Sequence, residues 1–378
     1  MTPEQQQIRE LAREFAENEL RPNAEHWDRE GKLPRDVVAK LGELGFLGML
    51  LPEEFDGLGL DTTTYLVALE EIARGDASVA VAMSVHNSLP TQMIRAQGSD
   101  AQKERWLKPM ARGELLGAFS LSEPDSGSDA ASLTAQARKV DGGWVLNGAK
   151  AWVTNGGFGD VVVAMARTDT ADDRRGAKGI GAFIVPTSTE GYIVGKKEDK
   201  MGQRASETVG VAFQEMFIPD DQLLGEPGMG FIYALQGLNG GRLGIGAIAL
   251  GIAQAALEHA VAYAGERRQF GAAIKDFQGM QFKLANMATR IAASRALLHQ
   301  AGDAKESGEN AVQMASMAKL FASETAMFVT TEAVQVFGGY GYMKEYPVER
   351  LFRDAKVTEI YEGTSEIQRT VIARELYR

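Results

Sequence analysis

The residue pattern changes twice along the chain, from helical to β-favouring and back to helical. This alternation limits the fold more than any other feature of the sequence. Near the N-terminus Ile8, Leu11, Phe15 and Leu20 recur at roughly helical spacing, which predicts amphipathic helices. The middle contains short β-favouring runs separated by Gly, Asp, Pro and Ser clusters, as in a small barrel or sandwich. These runs are residues 144–146, 161–165, 182–185 and 208–213. Beyond residue 228 the chain returns to long alanine-rich helical stretches, whose small residues suit packing in a bundle.

These residue patterns predict a mainly α protein with a β domain. At 378 residues the chain is too long for one compact core, so more than one domain is expected. We expect an N-terminal α-helical domain at residues 1–115, a middle β-barrel or sandwich domain at residues 116–225, and a C-terminal four-helix bundle at residues 226–378.

The composition excludes several classes of function. Without cysteine the chain has no disulfide, thiolate nucleophile or zinc–thiolate site. A net charge of −11 argues against nonspecific nucleic-acid binding, which needs a basic face. The four histidines are scattered, so no metal site is expected. The N-terminus is polar, and the longest apolar run, residues 243–253, is too short to span a membrane. We therefore expect a soluble intracellular protein, in the bacterial cytoplasm or the mitochondrial matrix.

Two motif matches are interpreted as structural. Residues 244–249 fit the loose G-x-G-x-x-A dinucleotide pattern, but no strand precedes them and helix packing explains them better. Ser316 and Lys319 fit S-x-x-K, yet the companion S-D-N and K-T-G motifs are missing. We expect these two residues on an ordinary amphipathic helix, without a functional role.

Other segments contain more glycine and polar side chains than a scaffold requires. Residues 119–129 join a short strand to a loop rich in hydroxyls and carboxylates, and such loops often carry sites. Residues 150–157 place Trp152 at a strand end, where its indole could stack on a flat heterocycle, a buried core residue being the alternative. Glycines accompany arginines in residues 239–242 and 266–271. Arginine suits phosphate, with surface ion pairs as the alternative.

Glu362 is the best candidate for acid–base chemistry. It lies beside Gly363 near the C-terminus, and a glycine lets a substrate approach the backbone closely. A solvated surface glutamate is the alternative reading of this residue alone. Residues 335–341 add a glycine-rich turn, where the backbone could approach a phosphate-bearing ligand.

Together these segments resemble the acyl-CoA dehydrogenase family along essentially the whole chain. Residues 122–129 (SEPDSGSD) and 335–341 (QVFGGYG) look like the family's two signatures, and residues 152–155 (WVTN) and 360–368 (IYEGTSEIQ) add matches in the same order. The resemblance implies noncovalently bound FAD in a homotetramer, in which one subunit contributes to its neighbour's flavin site. It also implies the fold expected above.

The resemblance carries over to individual positions. For FAD it implies contacts from Phe119, Leu121, Ser122, Gly127, Ser128, Trp152, Val153, Thr154, Arg267, Gln269, Phe270, Gln278, Gln335, Val336, Gly338, Gly339, Thr364 and Glu366. For the CoA thioester it implies contacts from Ser128, Asn239, Arg242, Tyr361 and Gly363. Asn239 is a departure, because many relatives carry Asp at this position.

The resemblance implies α,β-dehydrogenation of an acyl-CoA to a trans-2-enoyl-CoA, as in fatty acid β-oxidation. Glu362 would abstract the α-proton while flavin N5 takes the β-hydride, and electrons would pass to an electron-transfer flavoprotein. Desolvation by the acyl chain should raise the pKa of Glu362 and strengthen it as a base. Some family members carry the base at the position of Gly241, which is a glycine here, so Glu362 remains as the candidate.

The acyl group and two rival functions stay open. Residues 83–89 and 225–230 resemble short straight-chain members, whereas residues 238–242 (LNGGR) resemble isobutyryl-type branched-chain members. We expect butyryl-like substrates first and short branched ones second. An acyl-CoA oxidase would share the first half-reaction but reduce oxygen. A degenerate helical scaffold that kept the fold without catalysis is the non-enzyme alternative.

Overall fold

The protein folds into helices, then a sheet, then helices again. The computed structural model describes residues 1–168, 176–309 and 311–377. The N-terminal helices are α1 (Pro3–Phe15), α2 (Ala24–Glu30), α3 (Arg35–Glu43), α4 (Thr62–Gly75), α5 (Ala77–Ser88), α6 (Pro90–Gln97) and α7 (Asp100–Ala111). Their starts follow local chemistry: Thr2 and Gln5 form a capping box on α1, and the Asp61 and Asp76 carboxylates accept backbone N–H groups at the starts of α4 and α5.

The middle of the chain forms one mixed sheet. Its strands are β1 (Gly117–Ser120), β2 (Gln136–Val140), β3 (Gly143–Thr154), β4 (Val161–Arg167), β5 (Ile180–Pro186), β6 (Tyr192–Lys197), β7 (Thr208–Pro219) and β8 (Leu223–Leu224). The order is β6-β7-β3-β2-β4-β5-β8, with β1 parallel to β4. The predicted runs fall in β3, β4, β5 and β7. Sequence reasoning missed β2 and β6, whose residues are largely exposed and lack an apolar run.

The C-terminal helices pack around α8. They are α8 (Gly230–Glu266), α9 (Gln278–Ser307), α10 (Ala311–Phe337), α11 (Pro347–Lys356) and α12 (Ser365–Leu376), with the short hairpin β9 (Arg268–Gln269) and β10 (Ala272–Ala273) after α8. By length and composition α8 could cross a membrane, but 67% of its apolar window is buried inside the protein, which is typical of a core helix. Gly251 shows how closely α8 packs: a Cβ there would lie 2.3 Å from the Glu70 carbonyl oxygen on α4.

Several non-glycine residues adopt a left-handed backbone conformation, in loops or at an irregularity of a strand. Trp152 (φ 61°), Gln203 (φ 47°) and Glu362 (φ 55°) are among them. This region is sterically unfavourable for residues with a Cβ, and such residues cluster at functional sites. Trp152 and Glu362 are both among the residues predicted to carry chemistry. The predicted fold class, helical domain, β domain and helical domain, is confirmed.

Candidate active site

Glu362 lies in the loop that joins a short 3-10 turn, Val357–Glu359, to α12. Both Glu362 and Gly363 have a left-handed backbone, with φ of 55° and 92°. The Thr364 side chain then accepts the Ile367 N–H and begins α12. Two successive left-handed residues turn the chain sharply, so the Glu362 side chain points back towards α8 and α10.

The Glu362 carboxylate is poorly solvated. Its Oε2 atom is buried and has no hydrogen-bond partner among the described residues. Burial raises the pKa of Glu362 to about 7, while the positive charges of Arg242 and Lys319 act in the opposite direction. A carboxylate with a pKa near 7 that accepts no hydrogen bond is suited to receive a proton at neutral pH. We expected desolvation by the acyl chain to raise the pKa of Glu362. Burial within the protein already shifts the pKa in that direction.

Gly241 on α8 provides the space for this carboxylate. A Cβ at position 241 would lie 2.5 Å from Glu362 Oε2 and 3.0 Å from its Cδ. Any larger side chain would push the carboxylate away. Gly241 occupies the position at which some family members carry the base. Here this glycine leaves room for the Glu362 carboxylate.

Arg242 is buried next to Glu362. One of its terminal nitrogens donates to Asn239 Oδ1 at 3.0 Å and approaches Ser316 Oγ at 3.4 Å, while its Nε has no partner among the described residues. Burial lowers the pKa of Arg242, and Glu362 opposes that effect. The structure thus brings together Glu362, Gly363, Asn239 and Arg242, all predicted site residues.

Three residues of this site were missed by sequence reasoning. Lys319 donates to the Gly363 carbonyl at 2.8 Å, and the Gln368 amide donates to the carbonyls of Glu362 (3.1 Å) and Gly363 (2.9 Å). Gln203, from the loop before β7, donates to the Tyr361 hydroxyl at 3.1 Å. Ser316 and Lys319, expected on an ordinary amphipathic helix without a functional role, lie on α10 and contact Arg242 and Gly363. The sequence did contain an indication that Lys319 is buried, because it lies on the same face of α10 as buried Ala315 and Ala322.

The loop after β1 is fastened to β3 by a buried ion pair. Lys150 Nζ donates to Glu123 Oε1 at 2.8 Å and to the Leu121 carbonyl at 3.2 Å, with both charged side chains almost fully buried. The Glu123 carboxylate also accepts the backbone N–H groups of Thr134 and Ala135. The ion pair and these bonds fix the path of the loop that contains the predicted flavin contacts.

Trp152 follows this ion pair along β3. Its side chain is 65% exposed, so the alternative of a buried core tryptophan is wrong. The Ala151 N–H donates to the Ser122 carbonyl at 2.9 Å, which holds Ser122 beside the residue that precedes Trp152. Leu121 and Val153 are buried, whereas Gly127 and Ser128 are exposed in the loop and Thr154 pairs with Thr208.

A second group of predicted residues lines a surface cavity of about 590 Å³ at the far end of α8. It contains Arg267, Gln269, Phe270, Val336, Gly338 and Gly339. The Arg267 guanidinium lies over the Tyr340 ring at 5.4 Å, and Phe270 is 96% exposed. Gln278 and Gln335 are exposed near it but do not line the cavity.

The two groups are far apart within one chain. Thr364, a predicted FAD residue, is two positions from Glu362, whose carboxylate lies beside Gly241 on α8, whereas Arg267 follows the end of α8. The 25 residues of helix from Arg242 to Arg267, at 1.5 Å each, correspond to about 37 Å. A single flavin nucleotide does not span that separation. The residues predicted to bind FAD therefore fall into two separate groups on each chain.

The residues present fit a flavin nucleotide. A Cβ at Gly338 or Gly339 would have no atom within 4 Å, so the backbone there is open to a ligand. At the start of α12, between Thr364 and Glu366, the buried Ser365 Oγ has no partner among the described residues. A helix N-terminus with free polar groups suits a polar or anionic ligand.

A buried carboxylate without a hydrogen-bond partner among the described residues and a separate cavity with open glycine backbone are features expected of a flavin-dependent dehydrogenase. Family models described as the N-terminal, middle and C-terminal domains of acyl-CoA dehydrogenase match residues 2–114, 118–216 and 228–377. The chain belongs to the acyl-CoA dehydrogenase family, whose members are FAD-dependent oxidoreductases of fatty acid metabolism.

Individual relatives match the chain along nearly its whole length. The mitochondrial short-chain specific acyl-CoA dehydrogenase of Rattus norvegicus is 50% identical over 373 residues, which are 99% of this chain and 90% of the rat protein. The structure of butyryl-CoA dehydrogenase from Megasphaera elsdenii has a TM-score of 0.97 and 44% identity, covering 100% of this chain and 99% of that chain. A chain in a structure of the electron transferring flavoprotein of Acidaminococcus fermentans has a TM-score of 0.98 and 44% identity, with 100% and 99% coverage. The predicted family and enzyme class are confirmed.

Proposed function

We propose that this enzyme oxidises a short-chain acyl-CoA to the trans-2-enoyl-CoA, with Glu362 as the base. The buried, unpartnered Oε2 atom of Glu362, whose pKa burial raises to about 7, is the observation that carries the proposal. When bound, FAD supplies the acceptor for the hydride that leaves the β-carbon. The other elements of the reaction come from the side chains and backbone of this chain.

Glu362 Oε2 takes the α-proton, so the Cα–H bond breaks and its electron pair moves towards the thioester carbonyl. The enolate character that develops on that oxygen needs hydrogen-bond donors. The Glu362 backbone N–H has no acceptor among the described residues and is available for this role. Arg242 stays buried beside the carboxylate and offsets part of the desolvation that would otherwise keep it protonated.

The test is anaerobic flavin bleaching by butyryl-CoA, with Glu362→Gln compared with the wild type. The amide keeps the shape of the side chain but cannot accept the proton, so reduction should slow by about a thousandfold or more. Flavin absorbance should remain, which separates chemistry from cofactor binding. The wild-type rate should rise with pH through about 7 as Glu362 ionises. Reduction of the Gln variant at nearly the wild-type rate would eliminate Glu362 as the base.

The preference for short straight chains is supported by the rat short-chain and Megasphaera elsdenii butyryl relatives. Residues 238–242 (LNGGR) support the branched alternative, because they resemble isobutyryl-type members. A panel of butyryl-, isobutyryl- and octanoyl-CoA in the bleaching assay separates the two. Butyryl-CoA should bleach fastest, and faster bleaching by isobutyryl-CoA would reverse the assignment.

We also propose an electron-transfer flavoprotein as the acceptor, supported by the chain in the Acidaminococcus fermentans structure. Hydrogen peroxide released at the rate of dye reduction would favour the oxidase instead. The separation of the predicted FAD residues into two groups on each chain supports a homotetramer in which neighbouring subunits complete each flavin site. A yellow protein that no acyl-CoA bleaches would favour the scaffold.

The domain division at residues 115 and 225 and the location in the bacterial cytoplasm or mitochondrial matrix stay proposals. Limited proteolysis would test the first, because cleavage should concentrate near those residues if the domains are separate units. Cell fractionation with activity assays would test the second.

A further inference from the structure

Lys319 is a buried lysine for which the proposed reaction has no role. It lies on α10 with an exposure of 0%, and its Nζ donates to the Gly363 carbonyl at 2.8 Å. This is its one hydrogen-bond acceptor among the described residues, although an ammonium carries three N–H donors. Burying a charge with so few partners costs stability, and an apolar side chain of similar volume would pack as well. Packing alone therefore does not account for a lysine here.

Charged groups approach Lys319 from four elements. They are Glu362 in its loop, Arg242 on α8, Glu359 in the preceding 3-10 turn and Glu366 on α12. Burial lowers the pKa of Lys319 to about 8, whereas the three carboxylates raise it and Arg242 lowers it further. Lys319 is therefore positively charged at pH 7. Its attraction to Glu362 in turn lowers the pKa of that carboxyl, against the larger effect of burial.

The backbone that Lys319 contacts is in an unfavourable conformation. Glu362 and Gly363 are both left-handed, and a glutamate holds that conformation only when its surroundings impose it. Gln368 binds the carbonyls of both residues, and Lys319 binds the second carbonyl from the opposite element, α10. The turn is therefore held from two sides, by one neutral and one charged donor.

We infer that Lys319 is a positioning residue for the base. Through the Gly363 carbonyl it holds the turn that aims Glu362 at the space beside Gly241, and its nearby positive charge favours the ionised carboxylate over the protonated one. This inference rests on the proposed role of Glu362. It assigns Lys319 no contact with substrate and no proton transfer of its own.

Two variants separate the two contributions. Lys319→Gln removes the charge but keeps an N–H donor, and Lys319→Met removes both. Lys200→Met is the matched control, because Lys200 Nζ likewise donates to a backbone carbonyl, that of Ser206 at 2.6 Å, and burial also lowers its pKa to about 8. All are prepared as holoenzymes and checked by flavin absorbance and thermal unfolding.

The first measurement is the pH profile of anaerobic flavin reduction by butyryl-CoA. Without the Lys319 charge the pKa of Glu362 rises. The acidic limb of the profile, where the reduction rate increases with pH, should therefore move to higher pH by about one unit in both Lys319 variants. At pH 6 this corresponds to a roughly tenfold loss of rate. At pH 9, where Glu362 is ionised in all variants, only Lys319→Met should remain slow, because it alone loses the donor to Gly363. Lys200→Met should keep the wild-type limb.

The second measurement needs no turnover. The infrared carbonyl band of the protonated Glu362 carboxyl, identified by its loss in Glu362→Gln, is followed against pH in substrate-free enzyme. Its midpoint should rise in both Lys319 variants. A purely structural lysine would lower the unfolding temperature and leave this midpoint unchanged.

The inference on Lys319 is overturned if the infrared midpoint and the acidic limb are unchanged in both Lys319 variants. In that case an inactive Glu362→Gln would still support Glu362 as the base. An active Glu362→Gln would remove the base assignment and this inference together. If Lys319→Met does not fold, Lys319→Gln decides the matter. If neither folds while Lys200→Met does, Lys319 is a residue of the fold and the inference fails.

Discussion

Glu362→Gln should make the protein more resistant to urea at pH 8 and leave it nearly unchanged at pH 5. The reason is the cost of ionising Glu362 in a buried position. In the unfolded chain the carboxyl titrates at its ordinary value of 4.5, whereas burial raises the pKa to about 7 in the folded protein. The folded state thus binds the proton more tightly than the unfolded state, and the wild type loses stability as pH rises between these two values.

The magnitude follows from the same two values. At about 1.36 kcal/mol per pH unit, the interval from 4.5 to about 7 corresponds to about 3 kcal/mol. Nearly all of this penalty applies at pH 8, and less than about 1 kcal/mol applies at pH 5. Glutamine has the shape of the protonated acid and does not ionise, so the variant avoids the penalty at every pH. It should therefore be more stable by up to about 3 kcal/mol at pH 8.

The assay is urea unfolding of holoenzyme at pH 5, 6, 7 and 8, with fixed protein and FAD concentrations because bound cofactor adds its own stability. Glu54→Gln, at an exposed carboxylate, is the control and should show no comparable pH-dependent difference. The reasoning is refuted if the difference between Glu362→Gln and wild type is the same at pH 5 and pH 8. It is also refuted if the Gln variant is the less stable protein at pH 8.

Three further predictions concern the scaffold around the site. Lys150→Met should cost about 3–5 kcal/mol in urea unfolding, because it leaves Glu123 buried without its partner; adding Glu123→Gln should recover part of the loss. Gly251→Ala should cost about 1–3 kcal/mol, because its Cβ would collide with the α4 backbone. Gly265→Ala on the same helix, where a Cβ meets no atom within 4 Å, should be neutral or stabilising in thermal unfolding. Trp152→Ala should leave the apoprotein's unfolding temperature unchanged, since the side chain is exposed, but weaken FAD binding about fivefold in a fluorescence titration.

The element types were predictable from the sequence wherever periodicity was strong. The alanine-rich stretches became α8 to α10, and the apolar runs became buried strands such as β4 and β5. The exposed strand β6 was not predictable in this way, because its pairing with β7 comes from tertiary neighbours.

The individual site was predictable only in part. The motif at residues 360–368 drew attention to Glu362, but motifs do not show which distant residues reach it. Lys319 and Gly363 are 44 positions apart, and Gln203 and Tyr361 are 158 apart. Such contacts depend on how α10 and the loop before β7 pack against the C-terminal loop. No local pattern in the sequence predicts that packing.

The left-handed backbones at Trp152, Gln203 and Glu362 have a consequence for laboratory evolution. Each holds a residue with a Cβ where glycine would relieve about 1 kcal/mol of strain. At Gln203 the lost hydrogen bonds to Asp354 and Tyr361 would offset this gain. At Glu362 the buried Oε2 atom has no partner among the described residues to lose, so selection for heat tolerance alone should enrich glycine there and yield stable proteins without the proposed base. Selection that alternates heat with growth on the substrate should keep Glu362 and find its stabilising changes elsewhere.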